Sequence, residues 1–108
     1  MNKRIDQIDI VMEHITNKEK LFFCGILFSY ESLIEIVNDL LNYLNLYDLF
    51  NSSNYESLFK TLYLNKSKLS YDSIADLYNI HPYTLDRYRQ KFNSFLIKLL
   101  KTIKEKKQ

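Results

Sequence analysis

Apolar residues recur at spacings of three and four along most of the chain, the mark of helices that bury one face. Over residues 4–16 Ile5, Ile8, Met12 and Ile15 share a face, and Asn17 with Lys18 marks a break. The stretch from about 19 to 46 is richer. Phe23, Tyr30, Val37 and Leu44 recur every seven residues, as do Ile26, Leu33 and Leu40, with Leu27, Ile34 and Leu41 beside them. Three rows per heptad exceed a two-strand seam and predict a bundle helix with more than one neighbour. Gly25 inside it costs about 1 kcal/mol of helix propensity, which close approach of another helix offsets. Residues 47–54 read as a turn. Ser53 and Glu56 have capping-box spacing, predicting a helix to about Leu64 with Leu58, Phe59 and Leu62 inward. Residues 65–70 form a polar loop ending at Ser70, which caps a short helix from Tyr71 to about Tyr78. The last helix starts at Pro82, a residue whose missing N–H and fixed φ suit the first helical position. Leu85, Tyr88, Phe92, Leu99 and Ile103 carry it some twenty residues or more. No strand-like alternation and no repeat is evident. The expected fold class is all-α: a helical bundle with a C-terminal trihelical helix-turn-helix and a long last helix. Residues 1–50 form an N-terminal packing or dimerisation region and residues 51–108 a DNA-binding region.

Composition narrows the function classes. With 108 residues, 46% hydrophobic and 26% charged, the chain suits one domain or two very small ones. Its single glycine argues against a phosphate-cradling loop, and its single Cys24, in an apolar run, excludes an internal disulfide and is expected to be a buried, inert thiol. The longest near-continuous apolar run, residues 21–28, is too short to span a bilayer, and no signal peptide is visible, so a cytoplasmic location without membrane contact is expected. Net charge is +2 but uneven: residues 1–69 carry 7 basic and 9 acidic side chains, residues 70–108 carry 8 and 4. That asymmetry suits a polyanion at the C-terminal end. Lys104, Lys106 and Lys107 by themselves read as a solvated tail.

No enzyme chemistry stands out. His14 and His81 lack an acid or thiol at useful spacing. Asp6 with Asp9 and Glu31 with Glu35 read as solvated carboxylates, so no catalytic residue, cofactor or metal is expected. The nine tyrosines form no ordered stacking platform.

Residues 71–90 carry the remaining signal. Ile74 and the small Ala75 suit a close helix crossing. Asn79 suits a left-handed turn residue, Ile80 an apolar plug, and Leu85 with Tyr88 the anchors of a second helix. With those anchors inward, Tyr83, Asp86, Arg87, Gln90 and Ser94 point outward. Arg87 can bond a guanine edge and Gln90 an adenine edge. Tyr83 and Thr84 can reach phosphates or a thymine methyl, and Lys91 on the flank a phosphate. Asp86 either accepts from a cytosine amine or orients Arg87. Arg89 projects nearer the buried side and suits an acid partner. His81, at the helix start, is a cap or a phosphate contact.

Residues 58–100, with the I-A-x-x-Y-N-I core at 74–80 and T-L-x-R-Y-R at 84–89, resemble region four of bacterial sigma factors and the related small phage regulators of late genes. Asn79 stands where the pattern usually has glycine. The resemblance implies a trihelical DNA-reading module acting in transcription. Residues 1–50 lack the core-polymerase and −10 element segments of a complete sigma factor. The sequence therefore points to a sequence-specific regulator of phage or mobile-element type on double-stranded DNA. It is expected to be a homodimer that uses the 19–46 helix. The alternative is an interaction factor docking its apolar N-terminal half on RNA polymerase or another host protein.

Overall fold

The structure, a computed structural model, describes residues 6–64 and 69–106. Ile5, residues 65–68 of the expected loop, and the side chains of Lys104, Lys106 and Lys107 lie outside the described residues.

Helix α1 spans Gln7–Thr16. Asp6 caps it by accepting from the Asp9 amide at 2.9 Å, while the Asp9 carboxylate accepts from the Asp6 amide at 3.2 Å. This reciprocal pair satisfies two amides that the helix start leaves unbonded. The helix ends at the expected break, with Asn17 as its cap and Lys18 at φ 55°.

A β-hairpin follows, not the start of a long helix. Strand β1 (Leu21–Phe23) pairs antiparallel with β2 (Ile26–Phe28), with Leu21 opposite Phe28 and Phe22 opposite Leu27. Cys24 and Gly25 form the turn, with φ 51° and 83°. Two successive positive φ values give a two-residue turn the twist that strands require, and glycine takes the second position without strain. The Gly25 expected to weaken a helix thus closes a hairpin. Cys24 is exposed at its tip, contrary to the expected buried thiol. Leu21 and Phe28 face the core, while Phe22 and Leu27 face solvent.

Helix α2 spans Tyr30–Asn51, capped by the Ser29 hydroxyl on the Ser32 amide at 3.2 Å. It runs through most of the turn expected over 47–54. Leu33, Ile36, Val37, Leu40 and Leu44 are buried. The apolar stripe proposed as a dimer surface is therefore largely occupied by this chain's own core. Leu27 and Ile34 stay exposed.

The next helix, α3 (Tyr55–Phe59), continues into a π-helical stretch, Lys60–Leu64. Its cap is not the Ser53–Glu56 pair. The Asp48 carboxylate, on α2, accepts from the Tyr55 and Glu56 amides at 2.8 and 2.9 Å and from the Ser53 hydroxyl at 2.5 Å. A carboxylate on those amides also suits the positive end of the helix dipole.

Helix α4 (Tyr71–Leu77) has the expected Ser70 cap, and α5 (Pro82–Lys106) begins at Pro82. Between them the Asn79 amide donates to the Asp76 carbonyl at 3.0 Å and the Ile80 amide to the Ala75 carbonyl at 2.9 Å. With Asn79 at φ 57°, this is a Schellman closure.

One core joins every element. Ile8 and Val11 of α1, Phe28 of the hairpin, the α2 stripe, Leu58 and Phe59 of α3, Ile74 and Ala75 of α4, and Leu85, Phe92, Leu96 and Leu100 of α5 form a single buried cluster. The fold is the expected helical bundle, with a small hairpin added between its first two helices. Among the described residues no helix is long and apolar enough to cross a membrane.

Candidate nucleic-acid interface

The turn between α4 and α5 is built for close contact. Ala75 is fully buried and Ile74 nearly so, which lets α5 cross α4 tightly, and Leu85 is fully buried on the other side. The Tyr78 hydroxyl bonds Ser57 at 2.7 Å and Thr61 at 2.9 Å, tying the end of α4 to α3. His81 precedes Pro82 and caps α5: its Nδ1 accepts from the Tyr83 amide at 3.0 Å, and its carbonyl accepts from Thr84 and Leu85. The ring proton is then on Nε2, on an exposed side chain.

With Leu85, Phe92, Leu96 and Leu100 inward, the outer ridge of α5 carries Tyr83, Arg87, Gln90 and Ser94, all exposed. The Arg87 guanidinium lies 6.0 Å from the Tyr83 ring centroid. The ridge continues beyond the motif to Lys98 and Lys101, also exposed. The steps of three and four persist throughout, so the ridge is about 27 Å long at 1.5 Å per residue. Among the described residues the row itself bears no acid, and Asp86 stands at its edge on the side of α1. Sequence reasoning stopped at Ser94, yet the same spacing led on to both lysines.

The other candidate residues sit on the flanks. Thr84 is half-buried in the first turn of α5, and Lys91 lies towards α2 and α3. Lys91 is not a free flanking cation. Its Nζ donates to the Tyr55 hydroxyl at 3.2 Å and the Tyr47 hydroxyl at 3.4 Å, and lies 5.1 and 5.4 Å from those ring centroids. The two rings stack at 5.0 Å with 12° between their planes. Bonding to the Tyr55 hydroxyl holds the Lys91 ammonium above the usual lysine range.

On the opposite flank a polar network bolts α1 to α5. Arg89 donates from Nε and Nη2 to Asp6 Oδ2 at 3.2 and 2.9 Å. Its guanidinium lies 3.8 Å from Asp9 and 3.9 Å from Asp86. Tyr63, from the π-helical stretch, donates to Asp6 Oδ2 at 2.7 Å. The Asn93 side chain accepts from the Ile8 amide at 2.9 Å and donates to the Arg89 carbonyl at 2.7 Å. Asp6 and Asp9 are thus structural partners of Arg89, not the solvated carboxylates expected, and the acid partner expected for Arg89 is present threefold. Burial would raise the Asp6 carboxyl, but the Asp9 amide, the Tyr63 hydroxyl and Arg89 outweigh it and hold Asp6 below the ordinary range. Burial and the neighbouring Asp6 charge raise Asp9. Asp86 accepts from the Tyr71 hydroxyl at 2.6 Å and so is oriented by Tyr71, not turned towards Arg87. Between the start of α1 and α5 lies a cleft of about 280 Å³, lined by Asp6, Gln7, Asp86, Arg89, Gln90, Asn93 and Ile97.

Among the described residues no group of three His, Cys, Asp or Glu side chains is arranged to hold a metal. Comparison with protein-family models, with curated proteins and with solved structures finds no match to this chain.

Proposed function

We propose that the chain is a sequence-specific double-stranded DNA-binding protein, a cytoplasmic transcription regulator of phage or mobile-element type, similar in its C-terminal unit to sigma factor region four. Helix α5 enters the major groove. The observation that carries this reading is the juxtaposition of a tight, Schellman-closed turn over buried Ala75 with an exposed ridge bearing Tyr83, Arg87, Gln90 and Ser94. Two inward anchors and one outward row of hydrogen-bonding side chains are what a groove-reading helix needs. The acid-free extension through Lys98 and Lys101 adds cations suited to phosphates beyond the groove.

Selection of bound duplexes from a random pool tests this. The wild-type chain is expected to enrich one sequence. The double variant Arg87→Ala, Gln90→Ala is expected to fold normally and lose roughly ten- to hundred-fold in preference at each contacted base. Lys98→Ala with Lys101→Ala is expected to behave differently, weakening binding to all duplexes alike and lowering the salt slope by about 2. Absence of any enriched sequence for the wild-type chain would refute the reading.

One module reads few base pairs, so two copies on paired half-sites belong to the same proposal. Leu46, Leu49 and Phe50, in the last turns of α2, are 55%, 73% and 87% exposed and offer apolar surface for the contact. Phe50→Asp with Leu49→Asp is expected to leave the melting temperature nearly unchanged and to convert a dimer to a monomer in sedimentation. The same three side chains favour a second reading, docking on RNA polymerase or another host protein. Under that reading the Arg87 and Gln90 substitutions leave partner binding intact, while the Leu49 and Phe50 substitutions remove it.

A further inference from the structure

Resting on the assignment of α5 as the groove-entering helix, we propose that Asp86 is a base-reading acceptor. It selects a base with an exocyclic amine in the major groove, cytosine or adenine, and Tyr71 positions it.

Asp86 lies on α5 between Tyr83 and Gln90, on the edge of the ridge that faces α1, with its side chain 44% exposed. One oxygen, Oδ1, accepts from the Tyr71 hydroxyl at 2.6 Å. The other, Oδ2, has no hydrogen bond among the described residues. Half of the carboxylate is therefore held and half is open.

Arg89 is only a distant countercharge for this acid. The Arg89 guanidinium already places two N–H groups on Asp6 and lies near Asp9, while Asp86 stands at 3.9 Å. Three carboxylates thus share one guanidinium. A carboxylate on a helix approaching duplex DNA is repelled by the phosphates, and Arg89 at 3.9 Å offsets this only in part, so a donor on the duplex is favoured at the open oxygen. In the major groove only two base groups donate, the N4 amine of cytosine and the N6 amine of adenine. Thymine O4 and guanine O6 present lone pairs at the corresponding edge and are rejected by the same charge. One residue therefore supplies attraction for two bases and repulsion for the other two.

Tyr71 makes the acceptor rigid. Burial and the bond to Asp86 push its hydroxyl up to about 12, so it remains a proton donor at neutral pH. The ring also lies 5.5 Å from the Arg89 guanidinium carbon, which fixes the tyrosine against the α1–α5 network. Tyr71 touches no base in this arrangement. It is a positioning residue.

The test uses the full chain and selection from a random duplex pool, followed by titration with single-position variants of the selected site. The wild-type site is expected to contain one position restricted to cytosine or adenine, preferred by roughly ten- to hundred-fold. Asp86→Ala is expected to remove that restriction and leave every other position as before. Tyr71→Phe is expected to keep the same base at reduced preference, a split that a purely structural role would not produce. Replacing the selected base by its amine-free analogue, purine for adenine or pyrimidin-2-one for cytosine, tells the two sources apart. It is expected to weaken wild-type binding and to leave Asp86→Ala binding unchanged beyond the loss of pairing. Circular dichroism melts of both variants establish folding. If Asp86→Ala selects the same bases with undiminished preference, or merely tightens binding to all duplexes equally, the proposal is overturned while the DNA-reading assignment stands. A wild-type chain that selects no sequence overturns both.

Discussion

Replacing Arg89 with methionine is expected to destabilise the protein by roughly 2–4 kcal/mol at neutral pH. Removing one partner of a buried ion pair costs about 3–5 kcal/mol because the other charge is left uncompensated. Here both side chains keep some solvent contact, 14% for Arg89 and 17% for Asp6, which reduces the penalty. For a domain of about this size, that loss lowers the melting temperature by roughly 10–20 °C. The effect has a definite pH signature. The folded Asp6 carboxyl lies below its ordinary value of 3.8, so its stabilising contribution is complete above that value and disappears as pH falls through the folded one. Asp9 is raised, so its charged form opposes folding, and acidification relieves it. Without Arg89, Asp6, Asp9 and Asp86 repel one another with no cation between them among the described residues. The stability gap between wild type and variant is therefore largest near pH 7, narrows as pH falls, and closes only below 3.8, where Asp6 of the folded wild type protonates. Denaturant titrations at several pH values check this; a gap independent of pH would exclude the electrostatic explanation. Asp9→Asn keeps an oxygen acceptor for the Asp6 amide while removing the repelling charge. In the variant background it is expected to restore part of the loss.

Phe92→Ala is expected to cost about 3–5 kcal/mol. The Phe92 ring is fully buried at the centre of the bundle, edge-on to Phe59 at 5.6 Å and to Tyr55 at 5.8 Å. Truncation leaves a void beside the Tyr55 and Phe59 rings of α3, inside a core with no solvent access. Against a total stability of about 5–15 kcal/mol, this removes a large share. Phe50→Ala is the control. The same side chain at 87% exposure is expected to change stability by less than about 0.5 kcal/mol. Equal effects at the two positions would contradict the buried packing of Phe92. Thermal and denaturant melts of both variants make the comparison.

The contrast between the two halves of the chain shows what sequence pattern can reach. The α4–turn–α5 unit was legible almost residue by residue: the Ser70 cap, buried Ala75, left-handed Asn79, Pro82 start and inward Leu85 each follow from a local requirement of backbone or packing. The outward placement of Tyr83, Arg87, Gln90 and Ser94 follows from helical geometry once the anchors are known. The hairpin was not legible in that way. Its strands have three residues each, too few to establish a period of two, and their apolar residues prolong the heptad rows of α2. The available signal was Gly25 in the middle of an aromatic and aliphatic run, a turn residue where a helix gains nothing from it. The Asp48 cap escaped because its partners are seven and eight residues away, outside the local capping pattern. The Arg89 network escaped for a stronger reason: Asp6 and Arg89 are 83 positions apart, and only the tertiary fold brings them together. Lys91 shows the same limit from the other side, since nothing local connects it with Tyr47.

The hairpin tip has a practical use. Cys24 is the chain's one sulfhydryl and is solvent-facing, so a maleimide dye attaches at a single known point without engineering. Energy transfer between donor- and acceptor-labelled copies then reports how far apart two such tips sit in the proposed assembly of two copies on one duplex.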